Sequence, residues 1–270
     1  MTAKTKTAVA VKDESANLPA TQMWETEAGA GFENTSGDDF AIPFIKILQK
    51  NSPEVDDNDG AFVEGAKPGQ FFDTASQETF DALDVIACHY RRAMVIWKPD
   101  QGGFVRQEAV GYEAGLPRRK RQDGSETGVF VDAGGNDVVD TRYVFALRVG
   151  SDGSTSPVIL SFSSTQTKKA RNWLTRMQNI KATGDGGRRF TMPMFANVWR
   201  LTTVGEQNDK GSWRGYKIDL VGPITDQGLA QAAKDAREMF LSVDTKVRPP
   251  ATEGEATPSA ATQPDDNIPF

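Results

Sequence analysis

Residues 83–98 read LDVIACHYRRAMVIWK, a stretch too rich in Val, Ile, Tyr and Trp to favour a helix and long enough for one bent strand or two. More strand-like segments follow. GGFVRQEAVGYE comes first, then a basic, Gly-containing insertion (GLPRRKRQDGSETG), then TRYVFALRVG and SPVILSFSS, separated by the hairpin signal SDGST. Four or more strands are therefore in place before the first helix, so the core is expected to be a sheet to which helices are added.

Helical spacing begins in SSTQTKKARNWLTRMQNIKA, where Ala170, Trp173, Leu174, Met177 and Ile180 share a face and Ser163 or Ser164 can serve as N-cap. MFANVWRLTTVGEQ and GSWRGYKIDLVGP predict a second hairpin across EQNDKG. TDQGLAQAAKDAREMFLSV is an amphipathic helix with Leu229, Ala232, Ala233, Ala236, Phe240 and Val243 on its apolar stripe. This order predicts a mainly β, α+β fold, an OB-fold-like antiparallel barrel with insertions, although a β-sandwich explains the strand pattern nearly as well. Upstream, AIPFIKILQ (residues 41–49) reads as a strand or docked extended piece, and Pro43, lacking an N–H, argues for an edge position.

Composition sets the domain limits. Residues 1–37 are rich in Thr, Ala, Glu, Gly and Ser and read as a flexible N-terminal segment. Residues 38–243 form the OB-like domain, residues 244–264 a disordered linker with almost nothing to bury, and residues 265–270 an acidic tip. No run approaches the roughly 18 consecutive apolar residues of a membrane helix. The expected location is cytoplasmic, the host cytoplasm if the protein is viral, with no membrane partner.

One cysteine, Cys88, and one histidine, His89, exclude an internal disulfide and a Cys/His zinc site within one chain. As neighbours on a strand they point to opposite faces and make a poor catalytic pair. Asp132, Asp137, Asp140 and Asp219 are the right type for a Mg²⁺-dependent nuclease, but the first three lie in VDAGGNDVVDT, which looks like a turn, and no Walker-type loop is present. The expectation is a protein with no catalytic residues, cofactor or metal.

Charge points elsewhere. The whole chain has a net charge of -6, yet residues 81–223 carry 21 basic and 15 acidic side chains, a net of +6 between acidic ends. A basic body with acidic ends suits a nucleic-acid binder. Binding a single strand takes cations that follow the phosphates and flat rings on which bases stack, each stack contributing roughly 1–3 kcal/mol. The middle interleaves both types in HYRRAMVIWK, RYVFALR, ARNWLTR, NVWR and SWRGYK.

Alternation in RYVFALRV puts Tyr143, Phe145, Leu147 and Val149 on a core face and leaves Arg142 and Arg148 for a groove. In SWRGYKIDL it turns Tyr216, Ile218 and Leu220 inward and Trp213 and Lys217 outward, and an outward Trp beside a Lys is unusual on a surface. Arg91, Arg92 and Trp97 complete the strand candidates, although Trp97, like Trp173 and Trp199, sits on an apolar face where a core role is the simpler reading. Lys168, Lys169 and Arg171 crowd the first turns of a helix, where the macrodipole disfavours cations. A phosphate there would remove the conflict, while a merely solvated basic face would cost roughly a few tenths of a kcal/mol per residue. RRKR (residues 118–121) is either a clamp on a mobile loop or plain surface.

The last residues, DDNIPF, resemble the C-terminal tip of bacterial single-stranded-DNA-binding proteins, an acidic run followed by Ile-Pro-Phe. The resemblance covers residues 265–270 and the plan of folded body, linker and acidic tip. The longer body looks more like the divergent single-stranded-DNA-binding proteins of tailed phages. In that family the OB body holds single-stranded DNA and the tip recruits replication, recombination and repair proteins. The resemblance thus implies partner binding by Asp265, Asp266, Ile268, Pro269 and Phe270, with Asn267 in place of a third acid.

The tip's physics fits that role. Phe270 offers a ring and a terminal carboxylate, Ile268 adds apolar area, Pro269 limits the entropy lost on docking, and the two acids attract a basic surround. The linker gives a reach of about 25 Å on a flexible-chain estimate. The same tip could fold back on its own basic groove. A near copy, DDFAIPF at residues 38–44, reads as the lead into a strand.

The sequence therefore predicts a non-enzymatic protein whose partners are single-stranded DNA and, through the tip, a polymerase, helicase, primase or nuclease. Homo-oligomerisation is compatible with it. Two alternatives stay open, a phage recombination enzyme that anneals strands or cuts them with a metal, and a decoy that occupies the tip pocket of host proteins.

Overall fold

A computed structural model describes residues 27, 30, 31, 33, 34, 42–99, 103–121, 124–208 and 211–243. Two units are distinguished, Met1–Phe40 and Ala41–Phe270. In the first, the Gly31 N–H donates to Glu33 at 2.9 Å. The second holds every described strand and helix.

Its strands are β1 (Phe44–Ile47), β2 (Phe71–Asp73), β3 (Thr79–Phe80), β4 (Leu83–Trp97), β5 (Phe104–Glu108), β6 (Arg118–Lys120), β7 (Glu126–Val131), β8 (Asp137–Val149) and β9 (Thr155–Phe162). Helix α1 (Thr167–Asn179) follows, then a small hairpin of β10 (Lys181–Thr183) and β11 (Arg189–Thr191), the long hairpin of β12 (Asn197–Asn208) and β13 (Gly211–Pro223), and helix α2 (Gln227–Val243). None of the described helices is long and apolar enough to cross a membrane.

The sheet runs β13-β12-β4-β8-β9-β1-β2-β3 and curls into a half-barrel. Its spine is the β4–β8 pair, in antiparallel register from Asp84↔Val149 to Trp97↔Asp137. A register shift between Ala87 and His89 makes Cys88 the extra residue of a bulge, which bends the strand. The segment expected to be one bent strand or two is thus one. Beyond the half-barrel, β5 extends the β4 side of this ribbon, and β7 with β6 extends the β8 side.

The strand path curls until β1 approaches β13. There a side chain replaces a ladder rung: Gln49 accepts from the Arg214 N–H at 2.7 Å and donates to the Arg214 carbonyl at 3.1 Å. Nearby, the Thr203 hydroxyl donates to the Gly69 carbonyl at 2.5 Å. The edge position expected for Pro43 is corrected here. β1 lies between β9, its parallel partner, and β2. Pro43 precedes the first paired residue and only accepts, from the Ile159 N–H at 2.8 Å, so the ladder loses no donor.

Both faces of the central strands are covered. On the inner face Val85, Val144, Leu160, Phe162, Trp199 and Tyr216 pack with Ala170, Trp173 and Met177 of α1. On the outer face Ile86, Val95, Phe145, Leu147 and Ile159 pack with Ala233, Ala236 and Phe240 of α2. A third cluster joins Met94, Ile96 and Val138 to Tyr112, Leu116 and Phe130 of the insertion. Strand β8 therefore has core on both faces, Val144 and Ala146 inside and Tyr143, Phe145 and Leu147 outside. Leu220, expected inward, is 44% exposed, although it stays in register opposite buried Trp199, and the β12–β13 register slips only beyond it, between Val198 and Trp199. Ser163 stands at the N-cap position of a 3-10 turn (Ser164–Gln166) without a side-chain capping bond, and α1 starts beyond that turn, also without one.

Candidate nucleic-acid interface

Glu206 and Trp213 are register partners near the tip of the β12–β13 hairpin. The Glu206 carboxylate accepts from the Trp213 indole Nε1 at 2.7 Å, from Gln166 Nε2 at 2.9 Å and from the Lys169 ammonium. Lys169 also donates to the Tyr216 carbonyl at 2.5 Å, and Gln166 accepts from the Tyr216 N–H at 3.0 Å. The start of α1 is thereby tied to β13. Burial alone would raise the Glu206 pKa, but the hydrogen bonds from Lys169, Gln166 and Trp213 outweigh it and hold the carboxyl below its usual range. The network fits only because residue 215 is glycine, since a Cβ there would lie 2.5 Å from Glu206 Oε2 and 2.8 Å from Gln166 Nε2.

Half-buried Trp213 lines two hollows. One, of about 830 Å³, is walled by Gln49, Lys50, Pro68, Gln207 and Arg214. The other, of about 380 Å³, is walled by Ser164, Thr165, Asn208, Gly211 and Ser212. Exposed Lys50 and Arg214 on the first have no ion-pair partner among the described residues, and neither do exposed Lys168 and Arg171 on α1. An indole fixed in orientation, with unpaired cations around it, can stack a base while neighbouring phosphates are neutralised.

Of the residues selected from sequence, Lys169 and Trp213 meet directly through Glu206, and Lys168 and Arg171 share the start of α1 with Lys169. Lys217 lies further along β13, exposed and paired with Asp219 at 3.1 Å. Of all the residues selected from sequence, only Trp213 lines either hollow. Arg92 and Arg142 face each other across the β4–β8 ladder with Asp140 between them, bidentate to Arg92 at 2.8 and 3.1 Å and 3.3 Å from Arg142. Arg142 is only 8% exposed, and its Nη1 has no hydrogen-bond partner. Arg91 donates to Gln107 and lies over the Tyr143 ring at 5.8 Å. Arg148 lies over Phe80 at 4.6 Å and bonds Ser156. Trp97 is buried, edge-on to Phe104, and Trp173 and Trp199 are buried against each other at 5.9 Å.

The RRKR segment is mostly engaged. Arg118 lies over Phe130 at 4.4 Å, Arg119 pairs with Asp137, and Arg121 bonds Ser125 and the Glu126 carbonyl. The carboxylates considered for a metal are likewise occupied. Asp132 organises its own turn through the N–H groups of Gly134 and Asn136, while Asp137, Asp140 and Asp219 face arginines or a lysine. Among the described residues no group of three or more His, Cys, Asp and Glu is placed to hold a metal ion. Cys88 is buried, which pushes its thiol pKa up to about 12. Asp265, Asp266, Ile268, Pro269 and Phe270 lie outside the described residues. In the internal copy, Phe44 opens β1 and packs edge-on against Tyr143 at 6.1 Å.

Sequence reasoning missed Glu206, Lys50 and Arg214. The first looks like turn material in EQNDKG, and the other two come together only because the sheet curls.

The family described as Pam3 phage gp34-like protein matches residues 11–246. The chain belongs to that family. It is thus a phage-type protein, as the likeness to tailed-phage proteins implied, and the match ends before the DDNIPF tip. Comparison with curated proteins gives no match, and neither does comparison with solved structures.

Proposed function

We propose that this phage protein is a non-enzymatic binder of single-stranded DNA that protects the strand during replication, recombination and repair, and recruits partner proteins through residues 265–270. The observation that carries the reading is the Trp213 platform. It is an indole oriented by an ion-paired carboxylate and flanked by two hollows, with Lys50 and Arg214 in the wall of one and Lys168 and Arg171 on the same helix as Lys169, all four without an ion-pair partner among the described residues. A duplex buries its bases in the stack, so a side-on indole platform favours a single strand.

The connectivity supports an OB-like reading. Strands β4, β8 and β9 form a meander, α1 bridges to the hairpin β12–β13, and β12 returns to pair with β4, as in a five-stranded Greek-key barrel. In that reading β1 fills the seam between β9 and β13. The hairpin carrying Trp213 then corresponds to the loop between the fourth and fifth strands, one of the two loops through which OB barrels bind oligonucleotides.

The test is a titration of the full chain with fluorescent oligo-dT at several salt concentrations without Mg²⁺, beside duplex DNA of equal length. Tight, length-dependent binding to the single strand is expected, with log K falling against log salt by about 0.7 per phosphate contact. Equal or stronger binding to duplex would overturn the single-strand reading. Absence of binding would move the function to the tip alone, as in a decoy for host proteins.

A further inference from the structure

We propose that the single strand leaves the Trp213 hollows along the exposed face of α1 and ends on the β10–β11 hairpin, where Phe190 stacks on a base and Arg188 and Arg189 hold the flanking phosphates. This rests on the single-stranded-DNA reading above and adds a second contact element to it.

Three observations carry the path. From Ser163 to Gly184 the sequence holds Lys168, Lys169, Arg171, Arg176 and Lys181 and no acidic residue. Lys169 is engaged by Glu206, and Arg176 donates to the Ile218 carbonyl over the Trp199 ring. Lys168 and Arg171, three residues apart on one exposed helix face, are left with no partner among the described residues. They also sit at the positive end of the helix dipole, where a polyanion relieves the repulsion that the protein itself does not.

The path has a physical end point. Helix α1 is about 20 Å long at 1.5 Å per residue, and β10 begins one residue beyond its C-cap. The hairpin pairs Lys181↔Thr191, Ala182↔Phe190 and Thr183↔Arg189, and it forms a sheet separate from the barrel. Gly186 and Gly187 close its turn at φ of 76° and 78°, a conformation that side chains disfavour.

On this hairpin Phe190 is 44% exposed and belongs to none of the three core clusters. Its ring lies 3.4 Å from where a Cβ on Gly184 would be, so backbone backs the ring at that point. Arg188 and Arg189 beside it are exposed and have no partner among the described residues. A backed aromatic ring next in sequence to two unpaired guanidinium groups, on a hairpin that follows an acid-free helix, offers a stacking surface and phosphate contacts on one short element.

The experiment compares the full-length protein with Arg188→Ala/Arg189→Ala, Phe190→Ala and Phe190→Trp, using oligo-dT of increasing length and several salt concentrations. For long oligonucleotides, F190A is expected to weaken binding about tenfold, and the double arginine variant to lower the salt slope by about 1.4, two contacts at 0.7 each. Oligonucleotides just long enough for the Trp213 hollows should bind all variants like wild type. The added tryptophan of F190W should preserve affinity, and quenching in excess of that seen with wild type should appear with long strands only. Because the hairpin lies outside the core clusters, unchanged thermal unfolding is expected throughout. Wild-type affinity and salt slope in both alanine variants would overturn the hairpin proposal and leave the Trp213 reading standing. Failure of the wild-type protein to bind any single strand would overturn both.

Discussion

Glu206 and Trp213 face each other across the β12–β13 ladder, and the indole Nε1 donates to the carboxylate at 2.7 Å. A carboxylate beside a proposed phosphate path looks misplaced on charge alone. Lys169 pairs with it, so it adds little net field, and what it contributes is direction. The indole loses its freedom to rotate before a base arrives, which lowers the entropy lost on binding.

Trp213→Ala should weaken binding to oligo-dT about tenfold, with little change in melting temperature because the side chain is half-exposed. Trp213→Phe keeps a ring but loses the bond to Glu206, so an intermediate loss is expected. Fluorescence anisotropy with labelled oligonucleotide measures both. Wild-type affinity in the two variants would remove Trp213 from the interface.

Gly215→Ala tests whether orientation matters separately from chemistry. The new Cβ would meet the ends of Glu206 and Gln166, both flexible side chains, so the fold should survive at a cost of about 1 kcal/mol from a disturbed hydrogen bond. Binding should fall although every contacting residue is retained, and the intrinsic tryptophan emission should shift. A variant with wild-type emission and affinity would show that the pinned indole is irrelevant.

The depressed Glu206 pKa gives a pH dependence with a definite sign. Its folded pKa lies below the ordinary 4.5. The stability it contributes is therefore fully present above about pH 4.5 and is lost as pH falls through the lower folded value. Glu206→Gln removes the ionisable partner of Lys169. The melting temperatures of wild type and E206Q should differ most near neutral pH and converge on acidification, as measured by thermal unfolding from pH 7 to pH 3. A constant gap across that range would assign the contribution elsewhere.

The parts of this fold that the sequence made legible are those whose signal is local. Strands β4 and β8 announced themselves by Val, Ile and aromatic content, and α1 and α2 by apolar spacing at Ala170, Trp173, Met177 and at Ala233, Ala236, Phe240. What stayed hidden depends on distant pairing. Two-sided burial of β8 follows from α2, far along the chain. The place of β1 follows from its parallel pairing with β9, which four residues beginning beside a proline do not signal. In the site, Lys169 and Trp213 were legible by type, whereas the acid that joins them was not, because its role exists only once α1 is laid against the hairpin.

The Arg92–Asp140–Arg142 trio gives the sharpest stability prediction, because two like charges stand directly opposite on neighbouring strands and one carboxylate holds both. Asp140→Asn leaves Arg142 uncompensated and Arg92 with only Glu113 at 3.8 Å, while Arg142 is only 8% exposed and one of its nitrogens already lacks a partner. Removing one member of a buried ion cluster costs about 3–5 kcal/mol; here the 28% exposure of Asp140 lets water offset part of that, so about 2 kcal/mol is expected. Arg142→Met removes the buried charge instead and leaves Asp140 bidentate on Arg92, so it should be nearly neutral, since replacing a buried ion by an apolar side chain of similar volume often is. Urea unfolding of the two variants compares them directly. If R142M destabilised as much as D140N, the buried guanidinium would be supplying packing or a further contact that its charge does not explain.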